Sequence, residues 1–317
     1  MTKVLKYCSA FWHLFRVNNL IIIILTVSLL QYFLIVPILN NYGYDNCFST
    51  MEWICFVAGI VLIAAGGNCI NDCMDITSDV VNKKKHKVIG QTISYNKGMI
   101  IYYIITISGL LFAIIPSYGK NMPWIFICFL LCALLLWQYS TLWKKKILVG
   151  NFIIALLSSF VVLFLFLIPV NIFKNINEKI IQELYLFMFC YGGFAFLFTF
   201  IRELIKTMED VRGDARTHCR TIAVVWGIKK TKKIALAFIA IAIIALSFIT
   251  IILFVYQHFF LAIYTGLGLV GPTCLLFYET SIIKNSKTCH TPSLLSKIIM
   301  LLGILSAVFV YRYIFLS

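Results

Sequence analysis

Residues 68–79 read Asn68-Cys69-Ile70-Asn71-Asp72-Cys73-Met74-Asp75-Ile76-Thr77-Ser78-Asp79, and they follow directly on the apolar run Trp53–Ala65. A run of that kind belongs in a bilayer. Asp72, Asp75 and Asp79 fall at i, i+3 and i+7, so a helical segment places them on one face. Asn71 lies one turn before Asp75, and Asp75 one turn before Asp79. Four oxygen-bearing side chains in one stripe at a membrane edge are costly unless a cation sits on them. A donor set of oxygens alone suits a hard divalent ion, magnesium above all.

Working outward, a second stretch answers the first. Arg202–Asp214 reads Arg-Glu-Leu-Ile-Lys-Thr-Met-Glu-Asp-Val-Arg-Gly-Asp and also trails an apolar run. Asp210 and Asp214 repeat the four-residue spacing of Asp75 and Asp79, with Lys206 one turn before Asp210. Of the twelve acidic residues in the chain, seven (Asp72, Asp75, Asp79, Glu203, Glu209, Asp210 and Asp214) sit in these two short stretches. That concentration calls for a shared cause.

The rest of the chain sets the class. Hydrophobic residues make up 62% of the 317 and charged residues only 12%, about half the share of a soluble domain; the mean hydropathy is +0.96. Nine apolar segments approach or exceed the length needed to cross a bilayer. They run over roughly 19–39, 50–70, 98–117, 122–141, 148–170, 183–201, 233–256, 258–280 and 296–315. The expected fold is all-α, a polytopic integral membrane protein with a bundle of about nine transmembrane helices around a central cavity, forming a single domain over residues 1–317. The two acidic stretches, four spans apart, suggest a pseudo-symmetric arrangement closing on that cavity.

The net charge of +15 does not imply a nucleic-acid partner, because the bases are distributed by side. The N-terminus and alternate loops hold 23 of the 27 Lys and Arg residues, and the opposite loops hold only Lys120, Lys174 and Lys179. By the positive-inside rule the N-terminus and both acidic stretches are cytoplasmic, in the cell (inner) membrane. The segment Tyr7–Arg16 is expected to lie along the interface with Phe11, Trp12 and Phe15 in lipid. Eleven cysteines without a CxxC pair read as packing residues, and neither a disulfide framework nor a zinc site is expected.

Two carboxylate clusters with adjacent bases fit a magnesium–diphosphate site, since magnesium is held by a few carboxylates together with phosphate oxygens. Lys206, Arg202 and Arg220 would neutralise charge that the metal does not. A plain solvated loop would explain Glu203–Lys206 and Glu209–Arg212 as i,i+3 pairs, but it would not explain Asp72, Asp75 and Asp79, whose own helix face carries no base.

These residues also carry a resemblance. Asn71-Asp72-x-x-Asp75-x-x-x-Asp79 followed by Asn82-Lys83, with Lys206-x-x-x-Asp210-x-x-x-Asp214, resembles the UbiA superfamily of intramembrane prenyltransferases. Arg16-Val-Asn-Asn19 resembles the entry to that family's first span. Tyr139-Ser140 with Lys144 and Gly150-Asn151 resembles the segment between its fourth and fifth spans, and Gly213-Asp214 with Cys219-Arg220-Thr221 and Trp226-Gly227 the tail of its second acidic motif. The likeness covers almost the whole chain. Thr207 stands where an aspartate usually opens the second motif, and Lys84, His86 and Ala223 are smaller departures.

The resemblance implies catalytic roles for Asp72, Asp75, Asp79, Lys206, Asp210 and Asp214, and metal ligation by Asn71, Asp75, Asp79, Asp210 and Asp214. It implies substrate binding by Asn19, Asn68, Tyr139, Lys144, Arg202, Lys206 and Arg220. The cofactor is then Mg2+, the donor an allylic prenyl diphosphate and the acceptor lipophilic. The wording around the second motif looks most like the geranylgeranylglycerol-phosphate geranylgeranyltransferase-like branch, which makes ether lipids; an aromatic quinone precursor is the alternative acceptor. A cation-coupled secondary transporter is the rival from another class. Against it, the carboxylates fall at the ends of spans and not at their midpoints.

Overall fold

A computed structural model of the chain describes residues 3–81, 88–173 and 177–312. Asn82, Lys83, Lys84, His86 and Lys174, invoked above, lie outside the described residues. Among those described, nine helices are long and apolar enough to cross a membrane: Val17–Asn41, Thr50–Met74, Tyr95–Gly119, Pro123–Thr141, Val149–Ile172, Glu178–Glu209, Gly227–Val255, Phe259–Ser281 and Ser286–Val310. At 1.5 Å of rise per residue each covers the ~30 Å hydrocarbon layer or nearly so. The protein is an all-α, multi-pass membrane protein. Its outward faces are apolar at helical spacing: Ile244, Phe248, Ile251 and Val255 of the seventh span are all exposed, as side chains that meet lipid should be.

The helices differ most from the hydropathy reading at two ends. The sixth runs on through Glu209 instead of stopping at 201, so most of the second acidic stretch is the last turns of a span. The ninth begins ten residues earlier than 296, with a capping box in which Asn285 and Thr288 satisfy each other's backbone amides. Hydropathy marks the apolar middle of a helix; a polar first turn that is well capped is still helix.

The chain divides into two compact units. The first comprises Met1–Ile24, Phe48–Lys146 and Arg212–Cys219. Its second and third spans touch backbone to backbone: a Cβ on Gly59 would stand 3.2 Å from the Gly109 carbonyl oxygen, and one on Gly109 3.2 Å from that of Gly59. Small residues permit this approach. The second span starts at a capping box between Ser49 and Glu52, and Glu52 also pairs with Lys120 at 2.9 Å. At its far end Leu14, Cys69, Ile70, Cys73, Ile89 and Tyr102 form a buried cluster. The N-terminal helix Lys3–Leu14 contributes Ala10 and Leu14 to that cluster, while Phe11 and Trp12 point away from it, 38% and 47% exposed.

The second unit comprises Leu25–Cys47, Ile147–Val211 and Arg220–Ser317. Ser159 donates to the Gly192 carbonyl at 2.8 Å, and Thr199 to Ser158 at 3.0 Å, tying the fifth span to the sixth. Phe198, Ile201, Ile205 and Met208 of the sixth span pack with Ile239, Leu276 and Ile299 of the last three. The cysteines described are free thiols.

Candidate functional site

The first acidic stretch is built at a helix end. The second span closes at Met74, Asp75 takes a cap conformation (φ −95°, ψ 5°), and a short helix Ile76–Val81 follows. The hydrogen-bond ladder survives the junction: Asp75 N–H donates to Asn71 O at 3.0 Å and Asp79 N–H to Asp75 O at 2.8 Å. Because the one-turn spacing is kept, Asn71, Asp75 and Asp79 remain successive members of one stripe. The stretch is not free of bases, as its own helix face suggested; they come from elsewhere in the chain. Lys144, on the short turn Trp143–Lys145 after the fourth span, donates to Asn71 Oδ1 at 3.0 Å and makes a close ion pair with Asp75 Oδ2. The Asn71 amide nitrogen donates to that same Asp75 oxygen at 3.1 Å.

Asp72 turns to a different partner. Arg16 Nη2 donates to its Oδ1 at 2.7 Å. Arg16 sits between the N-terminal helix and the first span with a left-handed backbone, φ 51°, a conformation that costs a non-glycine residue about 1–2 kcal/mol. Burial works against its charge, but the charge and hydrogen bond of Asp72, with Asp75 behind, outweigh burial and hold its pKa above the ordinary value. One turn up the second span, the Asn68 amide donates to the Phe15 carbonyl at 3.0 Å. The N-terminal junction is thus fastened to the second span at two successive turns. Arg16 is the member of this site that spacing alone did not single out; the signal was its place beside Asn19 at the entry to the first span.

The second stretch repeats the local design. Asp210 caps the sixth span (φ −87°, ψ 1°), its N–H donates to Lys206 O at 2.9 Å, and the short helix Val211–Arg216 follows. Two aspartates four spans apart therefore hold the same backbone position, each followed by six helical residues. Arg202 Nη1 donates to Glu203 Oε1 at 2.9 Å, while its buried Nε has no hydrogen-bond partner among the described residues. An unsatisfied guanidinium nitrogen is what an added anion would relieve. Thr207 donates to Leu204 O at 2.8 Å, one turn back in its own helix. Asp214 is buried and Arg220 exposed; Tyr139 is buried at the end of the fourth span, and Asn19 is half-buried.

Among the described residues, no group of three or more His, Cys, Asp or Glu side chains is placed to form a protein-only metal cage. Magnesium takes one or two carboxylates and completes its shell with phosphate and water. The Asn71 and Asp75 oxygens already converge on a cation, the Lys144 ammonium. The donors present therefore fit the ion.

Known proteins resemble this chain in sequence and in fold. A sequence profile of the UbiA prenyltransferase family matches residues 41–298. The digeranylgeranylglyceryl phosphate synthase of Hyperthermus butylicus is 29% identical over 249 residues, covering 78% of this chain and 77% of that one. The one from Methanosphaera stadtmanae is 25% identical over 273 residues, covering 84% and 88%. Among solved structures, a UbiA homolog from Archaeoglobus fulgidus bound to GPP and Mg2+ superposes with a TM-score of 0.56 at 12% identity, over 95% of this chain and 99% of that one. At that identity the likeness speaks for the fold.

Proposed function

This chain belongs to the UbiA prenyltransferase family, and from that premise we propose that it is a magnesium-dependent enzyme moving a prenyl group from an allylic diphosphate to a prenylglyceryl phosphate. The observation that carries the reading is the match to digeranylgeranylglyceryl phosphate synthases over more than three quarters of the chain. In this reading Asn71, Asp75 and Asp79 are the ion ligands of the first stretch, and Asp210 and Asp214 those of the second, each stretch with an ion of its own. Bound magnesium supplies positive charge to the departing diphosphate, which lowers the barrier to an allylic cation.

The chain's own residues do the rest. Lys144, Lys206, Arg202 and Arg220 offer charged donors to phosphate oxygens, and the unsatisfied Arg202 Nε favours one of them as an anion ligand. Asn68 spends one of its two amide hydrogens on Phe15, which holds the N-terminal junction, and presents the other and its carbonyl oxygen. Asn19 is the polar side chain at the entry to the first span. The buried Tyr139 ring offers a π face to an allylic cation, and apolar surroundings keep water from quenching it.

Incubation of the purified protein with labelled geranylgeranyl diphosphate, Mg2+ and a panel of acceptors tests this. Geranylgeranylglyceryl phosphate should be prenylated, EDTA should abolish transfer, and Mg2+ should restore it. Transfer to an aromatic quinone precursor alone, or full transfer without a divalent ion, sinks the proposal.

A further inference from the structure

Lys144 reaches two oxygens of the first stretch at once, Asn71 Oδ1 and Asp75 Oδ2. Those are the oxygens that the proposed function assigns to an ion. We propose that Lys144 and a divalent cation are competing occupants of the Asn71–Asp75 pair, so that the lysine suppresses binding of the ion by itself and is released when the ion takes its place. The inference rests on the proposed function only in taking the ion to be magnesium.

Three features support it. An ammonium and a dication cannot share the same two oxygens, because like charges at contact repel strongly in a part-buried site. Asp75 is only 13% exposed at its side chain, so a counter-charge is needed there whether or not an ion is bound, and an uncompensated carboxylate would be costly. The carrier is also built to let go. Lys144 stands on a three-residue turn beside the exposed Lys145 and Lys146, and its four-carbon stem swings a point charge without moving backbone. The other pair of this stretch contrasts with it: Arg16 is held by a left-handed backbone at the junction that Asn68 also fastens. Arg16–Asp72 is thus a fixed strut and Lys144–Asp75 an exchangeable one. The consequence is that the ion binds weakly to the protein alone and well only together with an anion that accepts the freed ammonium.

The test uses the full chain in detergent with no prenyl substrate, and Mn2+ as a paramagnetic probe. Lys144→Met, which keeps the length and removes the charge, should bind Mn2+ about tenfold more tightly than the wild type. Lys145→Met should bind as the wild type does, and Asp75→Asn added to Lys144→Met should remove the gain. A second measurement needs no variant. Amine-reactive labelling of the wild type, read by mass spectrometry, should show Lys144 modification rising severalfold with Mg2+ while Lys145 stays constant. Equal or weaker Mn2+ binding by a folded Lys144→Met, or Lys144 labelling indifferent to Mg2+, overturns the proposal. Neither readout involves prenyl transfer, so failure of the proposed reaction and failure of the exchange are seen separately.

Discussion

Asp75 and Asp210 hold equivalent places, each capping a long span and each followed by a six-residue helix. If each serves an ion, Asp75→Ala and Asp210→Ala should each lower turnover by about a hundred- to a thousand-fold, the usual cost of losing a contact that stabilises charge in a transition state. Single-turnover rates at saturating Mg2+ check this; an Asp210→Ala protein with near wild-type turnover would return the second stretch to a solvated helix end. Thr207 adds a finer expectation. Its hydroxyl is engaged with Leu204 O, and it supplies no negative charge, so Thr207→Asp should reduce the Mg2+ needed for half-maximal rate with the product unchanged. The carboxylate stripe was legible because helical spacing puts i, i+3 and i+4 neighbours together. Its partners were not: Arg16 lies 56 positions from Asp72 and Lys144 69 from Asp75, and no local pattern encodes a pairing at that distance. The resemblance implies a substrate role for Lys144, and the structure adds its contacts with Asn71 and Asp75.

At the scale of elements, what holds the first stretch in place is the contact of the second span with the third. Gly59 and Gly109 bring two backbones within van der Waals range, and a Cβ at Gly109 would meet Ile63 side chain and backbone at 3.0–3.2 Å. Backbone cannot yield as a side-chain tip can, so Gly109→Leu should destabilise by about 1–3 kcal/mol or more, seen as a lowered unfolding temperature in detergent. Gly193, with nothing within 4 Å of an added Cβ, is the control, and Gly193→Ala should not lower that temperature. Equal melting of both variants would remove the close crossing from the account. The spans themselves were legible from uncharged length alone, and all nine fall where hydropathy put them. The sixth and ninth were cut short because their polar turns, Arg202–Glu209 and Ser286–Ser296, count against a hydropathy window although capping and packing keep them helical.

For the molecule as a whole, the membrane sets an expectation for the two stretches through the parity of the spans. Among the described residues an even number of candidate spans, four, lies between Asp79 and Asp210, so with all four crossing the bilayer both stretches are expected on the same side. Which side follows from the bases: 23 of 27 Lys and Arg fall on that side, and of the three opposite, Lys120 is neutralised by Glu52 at 2.9 Å. Short basic loops stay in the cytoplasm, so that side is expected to be cytoplasmic, where a water-soluble diphosphate product and magnesium are at hand. Single cysteines replacing Lys145, Lys230 and Asn177 in a cysteine-free background test parity and side together. With a membrane-impermeant maleimide on intact cells, Asn177→Cys should label at once, and Lys145→Cys and Lys230→Cys only after permeabilisation. If all three reverse, the orientation is wrong but the two stretches still share a side. If Lys145→Cys and Lys230→Cys label from opposite faces, the parity is broken, and with it any mechanism in which both stretches serve one diphosphate.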